Sequence, residues 1–488
     1  MRRSGISVRP NRQTCGTSLT WAHCKACPAR VENFAQLGGK SLTNLATMRG
    51  KLCTTGAAIC HLRMPRGDLG SRPEYLEEAM TKPEALGFSS ARLEALDNRI
   101  KKKYIDTGKL AGSLTMIQRK GEIVHTRALG LMDKERGKAM REDTIFRMYS
   151  MTKPITSVAF MMLVEEGLVS LDDPVHRFIP EWKDLGVFNA GILGSFGTKP
   201  LSAPMRMVDL LRHTSGLTYG FQLRTNVDAA YRKLGIGTVD KRSITLDEMV
   251  QMLAKVPLEF SPGEAWNYSV STDILGYLVG KISGMPFEDF LQKRILDPIG
   301  MVDTSFFVAP EKAERFAACY AFDAKGQNVL QDDPANSPFL KPPACISGGG
   351  GLTGTVSDYM KFCQMLLNKG EYNGTRFLAP KTIDLMTMNH LPGGREMYEM
   401  SRSLFSEVVN AGVGFGLGFA VVTDRAKTMN IGSLGEYYWG GAASTAFWCD
   451  PREDLAVVFA TQFMPSDTYP VRRDLRTLVY SALIEPNG

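Results

Sequence analysis

The chain has 488 residues, 44% of them hydrophobic and 22% charged, with 47 Gly and 25 Pro. That composition is globular, it excludes collagen-like and wholly disordered chains, and no stretch approaches the ~20 consecutive apolar residues that a spanning helix needs. The net charge of +7 is no footprint for nucleic acid either: residues 1–72 hold twelve Lys/Arg against Glu32 and Asp68, a net of +10, which leaves −3 for the other 416.

Residues 1–72 are Arg-rich, Ser/Thr-rich and acid-poor without periodicity, the composition of an organelle transit peptide or of a reading frame begun too far upstream. They read as an unstructured, dispensable leader, and a start near Met80 would lead straight into regular structure. Five of the nine cysteines fall there, including Cys24 and Cys27, which have the spacing of half a zinc site but no second pair to complete it. Cys319, Cys345, Cys363 and Cys449 are too few and too scattered for a disulfide framework, so a reducing, cytoplasmic compartment is expected.

Beyond the leader, Ser89 and Ser90 offer an N-cap, and Leu93, Leu96, Ile100 and Tyr104 recur at helical spacing, which predicts a helix over 91–104. Ser113 to Gln118 and Glu122 to Ala128, joined by Arg119-Lys120-Gly121, predict a hairpin. From Ile155 to about Pro342 the pattern is mostly helical, with long Pro/Gly-rich connections such as Gly186 to Pro204. Strands return at Gly416 to Val422, Tyr437 to Trp448 and Leu455 to Gln462, before a final helix around Val471 to Ile484. This order predicts an α/β domain assembled from both ends of the chain, residues 85–154 and 343–488, and an inserted mainly helical domain, 155–342.

Ser150-Met151-Thr152-Lys153 is the chain's single Ser-x-x-Lys. Placed on the first turn of the apolar helix that follows, Ser150 and Lys153 share a face, so the amine reaches the hydroxyl. Pro154 is tolerated there because first-turn N–H groups lack intrahelical partners, and the positive end of the helix dipole favours an anion beside Ser150. For Lys153 to accept a proton it must be neutral part of the time, which burial arranges. A second cluster, Pro262 to Val270, ends a turn and opens the helix from Ser271 to Lys281, with Tyr268 at the boundary. In a third, Tyr438-Trp439-Gly440-Gly441-Ala442, the glycines admit a close backbone or ligand and leave a main-chain N–H for an oxyanion.

In this order the three clusters resemble the serine β-lactamase and penicillin-binding-protein superfamily, nearest to class C β-lactamases and the family VIII carboxylesterases. Leu211 to Leu217, Leu296 to Met301 and Gly349 to Leu352 match the same superfamily. The resemblance implies a β-lactamase-like α/β + α fold from about Gly87 onward, an antiparallel sheet flanked by helices with the active site between the two domains, Ser150 as the acylated nucleophile, and Lys153 and Tyr268 sharing the general-base role. It also implies an oxyanion hole from the backbone N–H groups of Ser150 and Ala442, substrate contacts at Trp439, Gly440, Gly441 and Val270, and no cofactor or metal.

Two departures separate the members. Where β-lactamases have Tyr-x-Asn this chain has Val270, and where they have Lys-Thr-Gly it has Trp439-Gly440-Gly441. Losing the lysine removes a partner for a substrate carboxylate and adds apolar surface, which favours a neutral short-chain ester; weak β-lactam hydrolysis stays compatible with the nucleophile. The rivals are a β-lactamase or D-amino-acid-specific peptidase on the same scaffold and a catalytically silent interaction protein, which would need these residues replaced. The Gly-x-Ser-x-Gly elbow is absent, and Gly349 to Gly354 follows Pro-rich loop instead of a strand, against a dinucleotide site. His213 has no acidic partner at a telling distance and reads as structural. Deleting residues 1–72 is expected to leave ester turnover and thermal midpoint within error of the full chain; a large loss of either would show that the leader packs on the body.

Overall fold

An eight-stranded antiparallel sheet joins the two ends of the chain in the computed structural model, which describes residues 82–237, 243–323, 325–402 and 411–487. The basic leader and the Met80 start lie outside the described residues. Helix α1 (Ser90–Ile100) begins where the Ser89 hydroxyl accepts the Arg92 N–H. It leads into β1 (Gly112–Arg119), β2 (Glu122–Asp133) and the short β3 (Lys138–Ala139). The C-terminal part supplies β4 (Val413–Phe415), β5 (Ala420–Val422), β6 (Tyr437–Gly440), β7 (Ala446–Asp450) and β8 (Leu455–Ala460). The order across the sheet is β4-β5-β6-β7-β8-β1-β2-β3, so the last long strand pairs with the first.

Alternation explains why β8 reads as an unbroken apolar run. Leu455, Val457 and Phe459 point to one face, into a core with Leu93, Leu96 and the C-terminal helix Val471–Ala482. Ala456, Val458 and Ala460 point to the other, into the main core beside the helix Val356–Leu367. Both faces are covered, so no position of β8 is left for a polar residue. In the main core, α2 (Thr152–Glu165) is buried from Thr152 to Leu163 and packs against α3 (Ser271–Ser283).

Three expectations need correction at the level of elements. The connection Gly186 to Pro204 contains a hairpin, Val187–Ile192 with Ser195–Lys199; beyond Val187 its short strands are mostly exposed, so no clean alternation marks them. Inside the helical stretch lies a second pair, Cys319–Phe322 with Asn328–Asp332, completed by Phe463–Met464 from the far end of the chain, a partner no local pattern reveals. The run Tyr437 to Trp448 is two strands, because the chain turns at Gly441 to Thr445, with Ser444 at φ +66°.

Arg119, which is fully buried, ties the turn at Leu86 to the C-terminal segment. Its guanidinium donates to the carbonyls of Leu86 (2.9 Å), Glu453 (3.0 Å) and Glu485 (2.8 Å), and to the Glu453 carboxylate at 3.0 Å. Removing one partner of such a buried pair strands the other, at a cost of about 3–5 kcal/mol. Arg119→Met is therefore expected to lower the urea midpoint by that equivalent with the slope unchanged; an unaltered midpoint would show that the clamp contributes nothing.

Candidate active site

Ser150 stands in a 3-10 turn, Tyr149–Met151, that runs directly into α2, one element earlier than the α-helical turn expected for it. Tyr149 has φ +44°, a left-handed conformation that costs a non-glycine residue about 1–3 kcal/mol and lasts only where the surroundings impose it. Here Phe146–Arg147 pairs with Thr353–Gly354, and the Met148 N–H donates to the Leu352 carbonyl at 3.0 Å. The same pairing draws Gly349, Gly350 and Gly351 up beside Ser150. Because Ser150 precedes α2, its N–H lies among the groups that the helix leaves without an internal partner.

Lys153 follows within the first turn of α2, and its side chain is buried. The amine donates to Ser150 Oγ (3.4 Å), the Tyr219 hydroxyl (3.2 Å) and the Gly349 carbonyl (2.6 Å). Burial, which penalises the charged form, pulls its pKa from the usual lysine value down to about 7, while the Asp273 carboxylate opposes the shift. At neutral pH the amine is therefore divided between a form that accepts a proton and one that donates it.

Tyr268 comes from the loop before α3 and donates its hydroxyl to Ser150 Oγ at 2.5 Å. The loop is pinned to the segment that follows His213: the Asn267 N–H donates to the His213 carbonyl (2.9 Å), and the Asn267 side-chain amide to the Leu217 carbonyl (3.0 Å). The His213 ring packs at 5.1 Å from the Tyr268 ring, its Nδ1 3.2 Å from Ser269 Oγ. Burial holds that imidazole well below its ordinary pKa, so it supports the tyrosine as a neutral ring.

The expected triad is thus brought together, with further groups that the motifs did not single out. Tyr219 receives the Lys153 amine and faces Asp273 at 3.5 Å; burial and that carboxylate push its pKa well above the phenol range, so it remains a neutral hydroxyl. Asp273 in turn accepts from Ser347 Oγ (2.5 Å) and the Gly349 N–H (3.1 Å). Tyr219 lies two residues beyond the Leu211 to Leu217 stretch and Asp273 five beyond Tyr268, and those neighbours were the available signals.

These groups open onto a cavity of about 90 Å³, as the described residues define it, walled chiefly by Tyr149, Tyr219, Phe221, Ile244, Met249 and Cys345, with Ser150, Tyr268 and Ala442 at its reactive end. Phe221 is 53% exposed and stacks on Tyr219 at 4.8 Å. Among the described residues no Lys or Arg lines the wall.

The four expected substrate contacts sit elsewhere. Trp439 is 2% exposed and packs behind Tyr268, ring centroids 5.6 Å apart, because alternation along β6 turns it into the main core and away from the cavity mouth. Val270 is fully buried. Gly440 and Gly441 carry backbone past the site without lining it. A Cβ on Gly441 would stand 2.5 Å from the Met148 carbonyl oxygen, so glycine lets the β6–β7 turn press against the segment that carries Ser150.

The family model described as Beta-lactamase matches residues 96–481. An uncharacterized protein of Mycobacterium tuberculosis is 35% identical over 367 residues, covering 75% of this chain and 88% of that protein. Esterase EstB of Burkholderia gladioli is 31% identical over 400 residues, covering 78% and 94%. Among solved structures, EstCE1, a hydrolase with promiscuous acyltransferase activity, aligns with a TM-score of 0.67 at 25% identity over 82% of this chain and 99% of its own. On the span of the family model, and on an esterase relative matched over nearly its whole length, this chain belongs to the β-lactamase family.

Proposed function

We propose that this chain is a carboxylesterase of the family VIII type, cleaving short, uncharged esters through an acyl-enzyme on Ser150. One observation carries the reading: Ser150 Oγ lies 2.5 Å from the Tyr268 hydroxyl and 3.4 Å from the Lys153 amine, at the end of an apolar cavity without a cation on its described wall. A β-lactam or peptidoglycan carboxylate finds no Lys or Arg among the described wall residues, whereas a neutral acyl group loses little on entering. The cavity is small, about 90 Å³, which favours short acyl groups. The likeness to EstB supports the same chemistry. The substrate-contact role assigned to Trp439, Gly440, Gly441 and Val270 passes to Tyr219, Phe221, Ile244 and Met249.

In the first step Ser150 Oγ attacks the ester carbonyl while its proton passes to the neutral Lys153 amine, 3.4 Å away, which becomes the ammonium that later resupplies Tyr268. The negative oxygen of the tetrahedral intermediate is received by the N–H groups of Ser150 and Ala442. The carbon–oxygen bond to the alcohol then breaks, and the proton moves through Tyr268 to the leaving alkoxide. Water repeats the sequence on the acyl-serine and releases the acid. The step needs no cofactor. In the division expected from the sequence, Ser150 belongs to the segment 85–154, Tyr268 to 155–342, and Gly349 and Ala442 to 343–488, so the site would lie between the two domains. Four buried cysteines without a disulfide are consistent with a reducing compartment such as the cytoplasm. No described helix is long and apolar enough to cross a membrane.

Incubation with a fluorophosphonate is expected to add one adduct, mapped by peptide mass to Ser150. Ser150→Ala should lower p-nitrophenyl butyrate turnover by about 10³-fold or more with an unchanged thermal midpoint, since a cavity-facing hydroxyl is all that is lost. Turnover of nitrocefin or a D-alanyl amide faster than that of the butyrate would overturn the esterase reading.

The Lys153 pKa sets the pH dependence. With the neutral amine as the active form, kcat/KM should fall about tenfold per pH unit below about 7 and level off above it. Because Asp273 raises that pKa, Asp273→Asn should move the acid limb to lower pH. A flat profile from pH 5 to 9 would remove Lys153 from the proton path.

A further inference from the structure

We infer that Arg472 is a positioning residue for the oxyanion site, its guanidinium clamping the turn that presents the Ala442 N–H; this rests on the acyl-enzyme reading above. Arg472 is the second residue of the C-terminal helix Val471–Ala482, distant from Ser150 in sequence. Its Nη2 donates to the carbonyls of Gly441 and Thr445, both at 2.7 Å. The turn between β6 and β7 closes on those same two residues, through the Gly441 N–H to the Thr445 carbonyl (3.0 Å) and the Ser444 N–H to the Gly441 carbonyl (3.1 Å).

The carbonyl of Gly441 and the N–H of Ala442 belong to one planar trans peptide, so they point in opposite directions. Holding the carbonyl toward Arg472 therefore aims the N–H away from it, and Ala442 lines the cavity beside Ser150. A charged donor on the carbonyl also polarises the peptide and makes its N–H a stronger donor. Gly440 supplies the seat: a Cβ there would stand 2.5 Å from Arg472 Nη2 and 2.6 Å from Cζ. Trp439-Gly440-Gly441 thus combines three tasks, with tryptophan behind Tyr268, one glycine admitting the guanidinium and the next admitting the Ser150 segment.

The test uses the full chain and compares wild type, Arg472→Lys, Arg472→Ala and Gly440→Ala on p-nitrophenyl butyrate, with a trifluoromethyl ketone as a tetrahedral analogue. Arg472→Ala is expected to lower kcat about 10- to 100-fold with KM within twofold, and to weaken the ketone by a similar factor. Arg472→Lys should keep more of the rate, and millimolar guanidinium ion should restore part of it to Arg472→Ala and none to Ser150→Ala. Gly440→Ala should reproduce the kcat loss by displacing the guanidinium. Wild-type kcat and ketone affinity in folded Arg472→Ala would overturn the proposal, as would losses that guanidinium does not rescue and that follow the thermal midpoint. Fluorophosphonate mapping of the wild type separates the two levels: an adduct on Ser150 beside an unimpaired Arg472→Ala removes only the clamp, whereas an adduct elsewhere removes both readings.

Discussion

Lys153 holds its amine where water does not reach, so each of its hydrogen bonds has to be provided by the protein. Three separate stretches provide them: Ser150 one turn earlier, Tyr219 66 residues later and Gly349 196 residues later. Burial alone favours the neutral amine, and the Asp273 carboxylate pulls the other way. The result is an amine that titrates near neutrality beside a serine hydroxyl. Displacing any of these stretches would either leave the amine unpaired or return it to water, and in both cases the reactive balance is lost.

The sheet and the helical core are the means by which that balance is held. Strand β8, buried on both faces, fixes β1 and β7 on either side of it, and the turn before β7 is thereby set against the segment preceding Ser150. On the helical side, the loop before α3 is bonded to the His213 to Tyr219 segment, so both tyrosines arrive together. The strained Tyr149 backbone is tolerated because pairing on one side and core packing on the other leave it no alternative. On the proposed reading, the apolar wall of Tyr219, Phe221, Ile244 and Met249 takes the specificity role that the missing lysine implied for Trp439.

Much of the architecture was legible because its signals are local. The Ser89 cap, the first hairpin and the apolar helix after Ser150 follow from spacing over a few residues. The exposed hairpin within Gly186 to Pro204 was not legible, since exposed strands carry no hydrophobic alternation. Trp439 shows a subtler limit. Alternation along β6 says that neighbouring side chains take opposite faces, but which face meets the substrate depends on what packs there. Tyr219 and Asp273 were missed for a related reason: neither forms a motif with its sequence neighbours, and each acts only through a group far away in the chain.

What the sequence by itself determined was the set of candidate reactive groups and the one short-range relation between them, the hydroxyl of Ser150 and the amine of Lys153 on a common face, because helical geometry spans three residues without help. Only the tertiary structure decided that Tyr268 stands 2.5 Å from that hydroxyl, 118 residues away in the chain, that the amine titrates near 7, and that tryptophan supports the site from behind. Distances across such separations and the dielectric around a buried charge are properties of packing, and packing belongs to the whole chain at once.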